Sequence, residues 1–343
     1  MELKHRQILS AQVDLSKFNK ANFEKATDEE KKQQDVMGES TTFFKDGMRR
    51  LRKNPLAMGS IIVLVLILLT IIIAPHVCPY KYSEIISVNG VRDKSAANLG
   101  PFEYSKLETK YMNETGEKLF PHIFGTDSLS RDYFIRVIYG TRVSLSVGVV
   151  ASIMVLIIGL LYGSIAGYFG GKVDLIMMRI VDIISTIPLT LYVILIMQVL
   201  GAGIQSIIVA LGSVYWVDMA RVVRGQILSL KQQEFVLAAK TIGSSATTIL
   251  FDHLIPNALG SILVTITMLI PSAIFMEAFL GYLGIGLQPP LASLGTMCND
   301  ASANLRTSPH ELLIPALIIC VIMFAFNFVG DGLRDALDPK LKK

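Results

Sequence analysis

Apolar positions along this chain fall in long unbroken runs, with neither the alternation of a strand nor the single stripe of a surface helix. The first run, residues 56–74, contains IIVLVLILLTIII without one charge. At 1.5 Å per residue it crosses roughly 30 Å of hydrocarbon. It is too long, and begins too far from the N-terminus, to be a cleaved secretory leader. Comparable runs over residues 143–166, 176–200, 204–222, 258–280 and 312–329 predict six crossings and an all-α, polytopic membrane protein. The fourth is diluted by Gln205, Ser206, Ser213 and Asp218. Pro188, inside the third, frees a backbone carbonyl and predicts a kink.

Ahead of the first run, Phe43, Phe44, Met48 and Leu51 share one helical face, with Lys45, Asp46, Arg49, Arg50 and Arg52 opposite. Such a helix lies in the interface, its apolar face in the acyl boundary and its basic face toward the headgroups of membrane lipids. The expected organisation is a mobile cytoplasmic tail (1–40), an interfacial helix (41–55) and a first transmembrane helix (56–78). A long external loop (79–142), a five-helix core (143–330) with a cytoplasmic loop at 224–257, and a cytoplasmic C-terminus (331–343) follow. Orientation follows from basic residues near span ends. Arg49, Arg50, Arg52 and Lys53 crowd the entrance to the first run, and Arg334, Lys340, Lys342 and Lys343 follow the last. Both termini are therefore expected on the cytoplasmic side.

Composition agrees. Of 343 residues 52% are hydrophobic and 17% charged, against roughly a quarter charged in soluble domains. A soluble enzyme and a disordered chain are excluded. A net charge of +4, without a basic face studded with aromatics, also excludes a nucleic-acid binder. Cys78, Cys298 and Cys320 have no metal-ligand spacing, although a bridge between Cys78 and Cys298 is conceivable. GYFGGKVD fails as a phosphate loop because Ala166 and Val173 replace the required glycine and hydroxyl residue. HELLI, from His310, lacks the second zinc-binding histidine, replaced by Ile314, and no GxSxG elbow occurs. The chain is not expected to hydrolyse ATP or peptides itself.

Gly159, Gly163, Gly167 and Gly171 recur at helical spacing. They allow a neighbouring backbone to approach closely, either within the chain or in an oligomer. Arg179 and Asp182, at i and i+3, form a candidate structural charge pair near the inner membrane face, with substrate contact as the alternative. Asp218, Arg221 and Arg224 could clamp the following loop to the bundle.

That loop reads VVRGQILSLKQQEFVLAAKTIGSSATTILFDHLIPNAL. It predicts a helix over 232–242, a stop at Gly243, and a second helix over 247–254 ending at Pro256. A helix–turn–helix with small residues on one face suits a groove on another protein; an ordinary amphipathic connector is the other reading. LAAKTIG followed by HLIP resembles the EAA signature of bacterial ABC-importer permeases, with Leu237 where a glutamate often stands and Glu234 one turn earlier. FGTDSLSRDYFIRVIYGTRVSL, GYFGGKVDLIMMRIVDIISTIP, FLGYLGIGLQPPLASLGTM and GDGLRDALDP are similar to further motifs of that family, in its order. Ser130 departs from an expected glycine, and Leu294 from a tryptophan. Together these motifs resemble the C-type permease subunit of oligopeptide and dipeptide importers across residues 43–340.

The resemblance implies the type I ABC importer permease fold in a bacterial cytoplasmic membrane. It also implies a second homologous permease, two cytoplasmic ATPase subunits and an extracellular or periplasmic substrate-binding protein as partners. ATP and Mg²⁺ would be bound by the ATPases, with no cofactor in this chain. Glu234, Ala238, Ala239, Lys240, Gly243, Ser244 and Pro256 would then form the ATPase-coupling surface. Asp127, Arg131 and Asp132 are candidates to receive the binding protein, or else cap and turn the chain locally. Glu277 is the candidate on the substrate path, where a carboxylate could meet a peptide ammonium; a hydrogen bond to a neighbouring helix is the alternative. Within the family, nickel chelates or glutathione are alternative cargoes. An ATPase-independent channel or secondary transporter is a more distant reading that leaves the EAA-type loop unexplained.

Overall fold

The computed structural model describes residues 43–201 and 203–337. The expected tail at 1–40, the side chains of Phe43 and Phe44, and residues 338–343 lie outside what it describes. Residues 46–337 belong to one compact unit.

Helix α1 (Phe43–Leu51) leads to α2 (Pro55–Val77), whose start is set by Asn54 and Pro55. The Asn54 side chain accepts from the amides of Leu56 and Ala57 at 3.1 and 3.2 Å, and Pro55 gives up no needed donor. Leu51 is buried with Ala57 and Ala336, so the basic helix packs against the end of the last span as well as offering a charged face.

Residues 79–132, expected as a loop, fold. An Asn89–Gly90 turn, both residues at positive φ, joins the strands β1 (Ser87–Val88) and β2 (Val91–Arg92). A 3₁₀ turn (Lys94–Ala96) and α3 (Lys106–Thr115) follow. The start of α3 is a capping box between Ser105 and Glu108, and its stop is Gly116 in the left-handed region.

Helix α4 (Tyr133–Phe169) begins at 133 rather than the expected 143, because Asp132 caps the amide of Ile135 at 3.0 Å and its first turns are buried. The third run is two helices, α5 (Gly171–Ser185) and α6 (Leu189–Leu200), bent by 84°. Pro188 cannot donate to the ladder and drives Ile187 out of helical geometry, so the expected kink is a full break. Helices α7 (Ile204–Leu230) and α8 (Glu234–Thr241) follow, then the single turn α9 (Ala246–Thr248) and a π-helical stretch, Ile249–Leu254. These run into α10 (Ile255–Tyr282). Pro256 leaves the carbonyl of residue 252 without its helical donor, and the ladder before it widens, with the amide of Ile255 reaching Leu250. Helices α11 (Leu294–Ser302) and α12 (Pro309–Leu337) complete the chain.

Five helical stretches are long and apolar enough to cross a membrane; the bent pair α5/α6 makes a sixth if taken as one span. Successive spans run in opposite directions, which puts residues 79–132 and α11 at one end of the bundle (the α3 end) and α8 at the other. The glycine stripe serves packing within the chain. A Cβ on Gly159 would sit 2.6 Å from Met219, and one on Gly163 would sit 2.4 Å from the carbonyl oxygen of Ala220. Both contacts join α4 to α7. Cys78, Cys298 and Cys320 are all free, so the conceivable bridge is absent.

Candidate coupling and translocation sites

At the α8 end, α8 lies across the bundle with Val236 and Ala239 buried against Ile249, Leu250 and Leu254. The chain turns back through Gly243 at φ +81, where the Ser244 amide reaches the Ala239 carbonyl and the Gly243 amide reaches that of Lys240, each at 3.0 Å. This is a Schellman stop, and it needs glycine at that position. The seven residues expected for coupling are brought into one loop but not onto one face. Glu234, Ala238, Lys240, Gly243 and Pro256 are exposed and Ser244 is half-buried, whereas Ala239 points into the bundle. Leu237, noted in the sequence only for replacing a glutamate, and Ile242, not singled out there, are 53% and 82% exposed. They make the protruding surface of α8 apolar. Two contacts brace this end, one between α7 and α5 and one from the residue after α7 to α4. Arg224 grips Asp174 through Nε and, at 2.5 Å, through Nη2, while Lys231 donates to the Tyr168 carbonyl.

Arg179 and Asp182 approach only to 4.0 Å, with side chains 75% and 54% exposed. Asp182 lies closer to Arg221, at 3.3 Å, and Arg221 is also 3.3 Å from Asp218. Beside them, at the α5/α6 break, opens a cleft of about 380 Å³ between α7 and residues 185–189.

Glu277 sits inside α10, fully buried. Its Oε2 accepts from Ser144 Oγ at 2.6 Å, and Ser144 Oγ in turn accepts from the Leu294 amide at 3.3 Å. The carboxylate therefore ties α4, α10 and α11 together.

At the α3 end, Asp127, Arg131 and Asp132 are buried in the folded segment. Asp127 receives Arg131 at 2.7 Å and Arg136 at 3.2 Å, while Ser128 and Leu129 at the tip of the turn are the exposed residues. Asp132 holds Nδ1 of His122 at 2.8 Å, and Nε2 of His122 reaches Glu108 at 3.0 Å. Burial opposes the charged imidazole. Hydrogen bonds and charge from Asp132 and Glu108 outweigh it and hold His122 up at about 9. Burial likewise opposes the Glu108 carboxylate, but bonds from His122 and Ser105 bring it below the usual range.

Comparison with known proteins shows the family. Residues 159–343 match the family described as binding-protein-dependent transport system inner membrane component, and residues 42–101 match the N-terminal TM domain of oligopeptide transport permease C. The oligopeptide transport system permease protein OppC of Bacillus subtilis is 47% identical over 90% of this chain and 93% of its own length. The dipeptide permease protein DppC of the same organism is 42% identical over 89% and 88%. OppC of Escherichia coli K12 is 42% identical over 88% and 93%. The chain belongs to the inner membrane permease components of binding-protein-dependent transport systems, in the branch that contains the oligopeptide and dipeptide C permeases.

Proposed function

We propose that this permease subunit forms one half of the path by which oligopeptides or dipeptides cross a bacterial cytoplasmic membrane. A second, homologous permease supplies the other half. The α8 end, where α2 begins and α12 ends, is cytoplasmic, and the α3 end is external. Two ATPase subunits bind and hydrolyse ATP with Mg²⁺, so this chain carries no catalytic residue. A substrate-binding protein delivers cargo to the external face, where the exposed turn at Ser128 and Leu129 is available to it.

The observation that carries the reading is the α8 tip. An apolar residue 82% exposed, Ile242, stands beside a glycine stop on a loop braced to α4 by Lys231–Tyr168 and rooted in α7, which Arg224–Asp174 ties to α5. Apolar surface on a short, rigidly mounted helix fits a groove on a partner better than it fits water. Closure of the ATPases around nucleotide would then move α8 and, through Lys231–Tyr168 and Arg224–Asp174, the adjoining ends of α4, α7 and α5.

The test is mass spectrometry of what co-purifies with the tagged chain, gently solubilised from its own membranes. Two ATPases, a related permease and a substrate-binding protein are expected. Recovery of the chain alone, in a detergent that preserves other transporters, would overturn the reading.

A further inference from the structure

Two carboxylates and a guanidinium lie open at the depth of the broken span. The side chains of Asp218, Asp182 and Arg221 are 74%, 54% and 41% exposed. Counted along α7 from Ile204, Asp218 is about 21 Å from the outer end, which puts the group within a hydrocarbon layer of roughly 30 Å, in the half nearer α8. Charges at that depth do not face hydrocarbon; they face water or protein.

Two observations separate this group from an ordinary structural ion cluster. Arg224, one turn further on, holds Asp174 with two short bonds and is closed. Arg221 is divided between Asp182 and Asp218, 3.3 Å from each, and donates to Ser185 Oγ at 2.8 Å. Charge-assisted bonds settle nearer 2.7–2.9 Å, so this guanidinium is shared and unsaturated. The group also flanks space: the 380 Å³ cleft is lined by Asp218, Arg221, Tyr215, Ser185 and Thr186. The 84° break at Pro188 leaves the carbonyls of residues 185–187 outside the helical ladder beside it. Irregular backbone at this depth is tolerated where it lines a cavity or is covered by protein.

We propose that this cleft is a seat for the charged ends of a peptide crossing the half of the membrane nearer α8. Asp218, the most open group, receives the α-ammonium, and Arg221 leaves its two weak contacts to receive a carboxylate. The assignment rests on the peptide-cargo reading above and moves the intramembrane contact from Glu277 to the α5/α7 face.

The test uses the reconstituted transporter with its unaltered binding protein. In wild type, uptake of a tripeptide is compared with uptake of its Nα-acetylated form. Asp218→Asn should narrow that discrimination at least tenfold in a complex that still co-purifies with all its subunits; Arg221→Gln should do the same for the free acid against the C-terminal amide. Because the binding protein is unchanged, any altered ratio belongs to the permease. Unaltered ratios in both variants would overturn the proposal. A second arm needs no peptide cargo. In a Cys320→Ala background, Asp218→Cys should react with a charged, membrane-impermeant methanethiosulfonate in at least one nucleotide state. No reaction in any state would mean that the partner permease seals this face, and would also overturn it. Reaction at Asp218→Cys without uptake of any peptide by wild type would instead overturn the cargo reading and leave an aqueous cleft for another solute.

Discussion

His122 Nδ1 lies 2.8 Å from Oδ2 of Asp132, and the other oxygen of that carboxylate caps the first turn of α4 at Ile135. On the far side of the imidazole, Glu108 accepts from Nε2 at 3.0 Å while its second oxygen takes the Ser105 amide at 2.8 Å, closing the capping box of α3. One buried imidazolium thus joins the N-termini of two helices and pins the segment 79–132 to the bundle. A group whose pKa rises on folding stabilises fully below its unfolded value and loses that contribution as pH climbs through the folded one. For His122 the window runs from 6.5 to about 9. Glu108, lowered on folding, stabilises above its ordinary 4.5 and loses the effect as pH falls below it. The segment should therefore be firmest between about pH 4.5 and 6.5. The wild-type advantage over His122→Gln, on the order of 2–3 kcal/mol at pH 6, should vanish above pH 9. Thermal melts of both proteins across that range decide it, and a pH-independent difference would contradict the ionic linkage.

Glu277 is expected to behave as a structural group. Glu277→Gln keeps an acceptor for Ser144, whose contact is 2.6 Å, and should leave assembly and uptake near wild type. Glu277→Ala leaves the hydroxyl without its partner and opens a void between α4, α10 and α11, costing about 2–4 kcal/mol. Melting temperature and peptide uptake, measured together, separate the two substitutions. A Glu277→Gln transporter that is stable yet inactive would return this residue to the substrate path.

The spans, the Pro188 break and the Gly243 stop were legible because each follows from a local rule: run length, a missing amide, a left-handed φ. The folded segment at 79–132 also left local marks, an Asn89–Gly90 hairpin turn between Val88 and Val91 and a Ser105–Glu108 capping box, which the length of the hydrophilic stretch concealed. Other features depend on partners far along the chain. Asp182 has a cation three residues away in the sequence, yet its closer partner, Arg221, comes from another helix. Asp132 and Glu277 carry the same charge as any surface carboxylate, and burial against His122 or Ser144 is a property of the assembled bundle. Ala238 and Ala239 differ by one helical step, enough to turn one outward and the other into the core.

The stripe of glycines on α4 offers a stability test with an internal control. A methyl group on Gly163 would lie 2.4 Å from the Ala220 carbonyl oxygen, and backbone cannot yield as a flexible side chain does. Gly163→Ala should force α4 from α7 and cost about 1–3 kcal/mol. Gly59 on α2 has nothing within 4 Å of the same added atom. Gly59→Ala should be neutral or stabilise by a few tenths to about 1 kcal/mol through helix propensity. Detergent melting curves for the two variants should diverge; equal shifts would remove the packing role of the stripe.

The α8 tip makes the sharpest functional prediction. Nothing lies within 4 Å of a Cβ built on Gly243, so a side chain there projects outward and its folding cost is chiefly the left-handed backbone, about 1–2 kcal/mol. Gly243→Asp should reach the membrane and pair with its partner permease, yet abolish uptake and peptide-stimulated ATPase by setting a charge on the coupling surface. Gly243→Ala carries the same strain without the charge and should retain most activity, which separates local distortion from lost docking. Ile242→Ser removes apolar surface that is already 82% exposed, so the isolated chain should lose little stability. If Ile242 fills a groove in the ATPase, its loss should weaken ATPase binding about tenfold or more, equivalent to roughly 1.4 kcal/mol. Titration of purified ATPase onto the reconstituted permease pair measures this directly. Wild-type affinity in Ile242→Ser, together with normal uptake by Gly243→Asp, would remove α8 from the coupling interface.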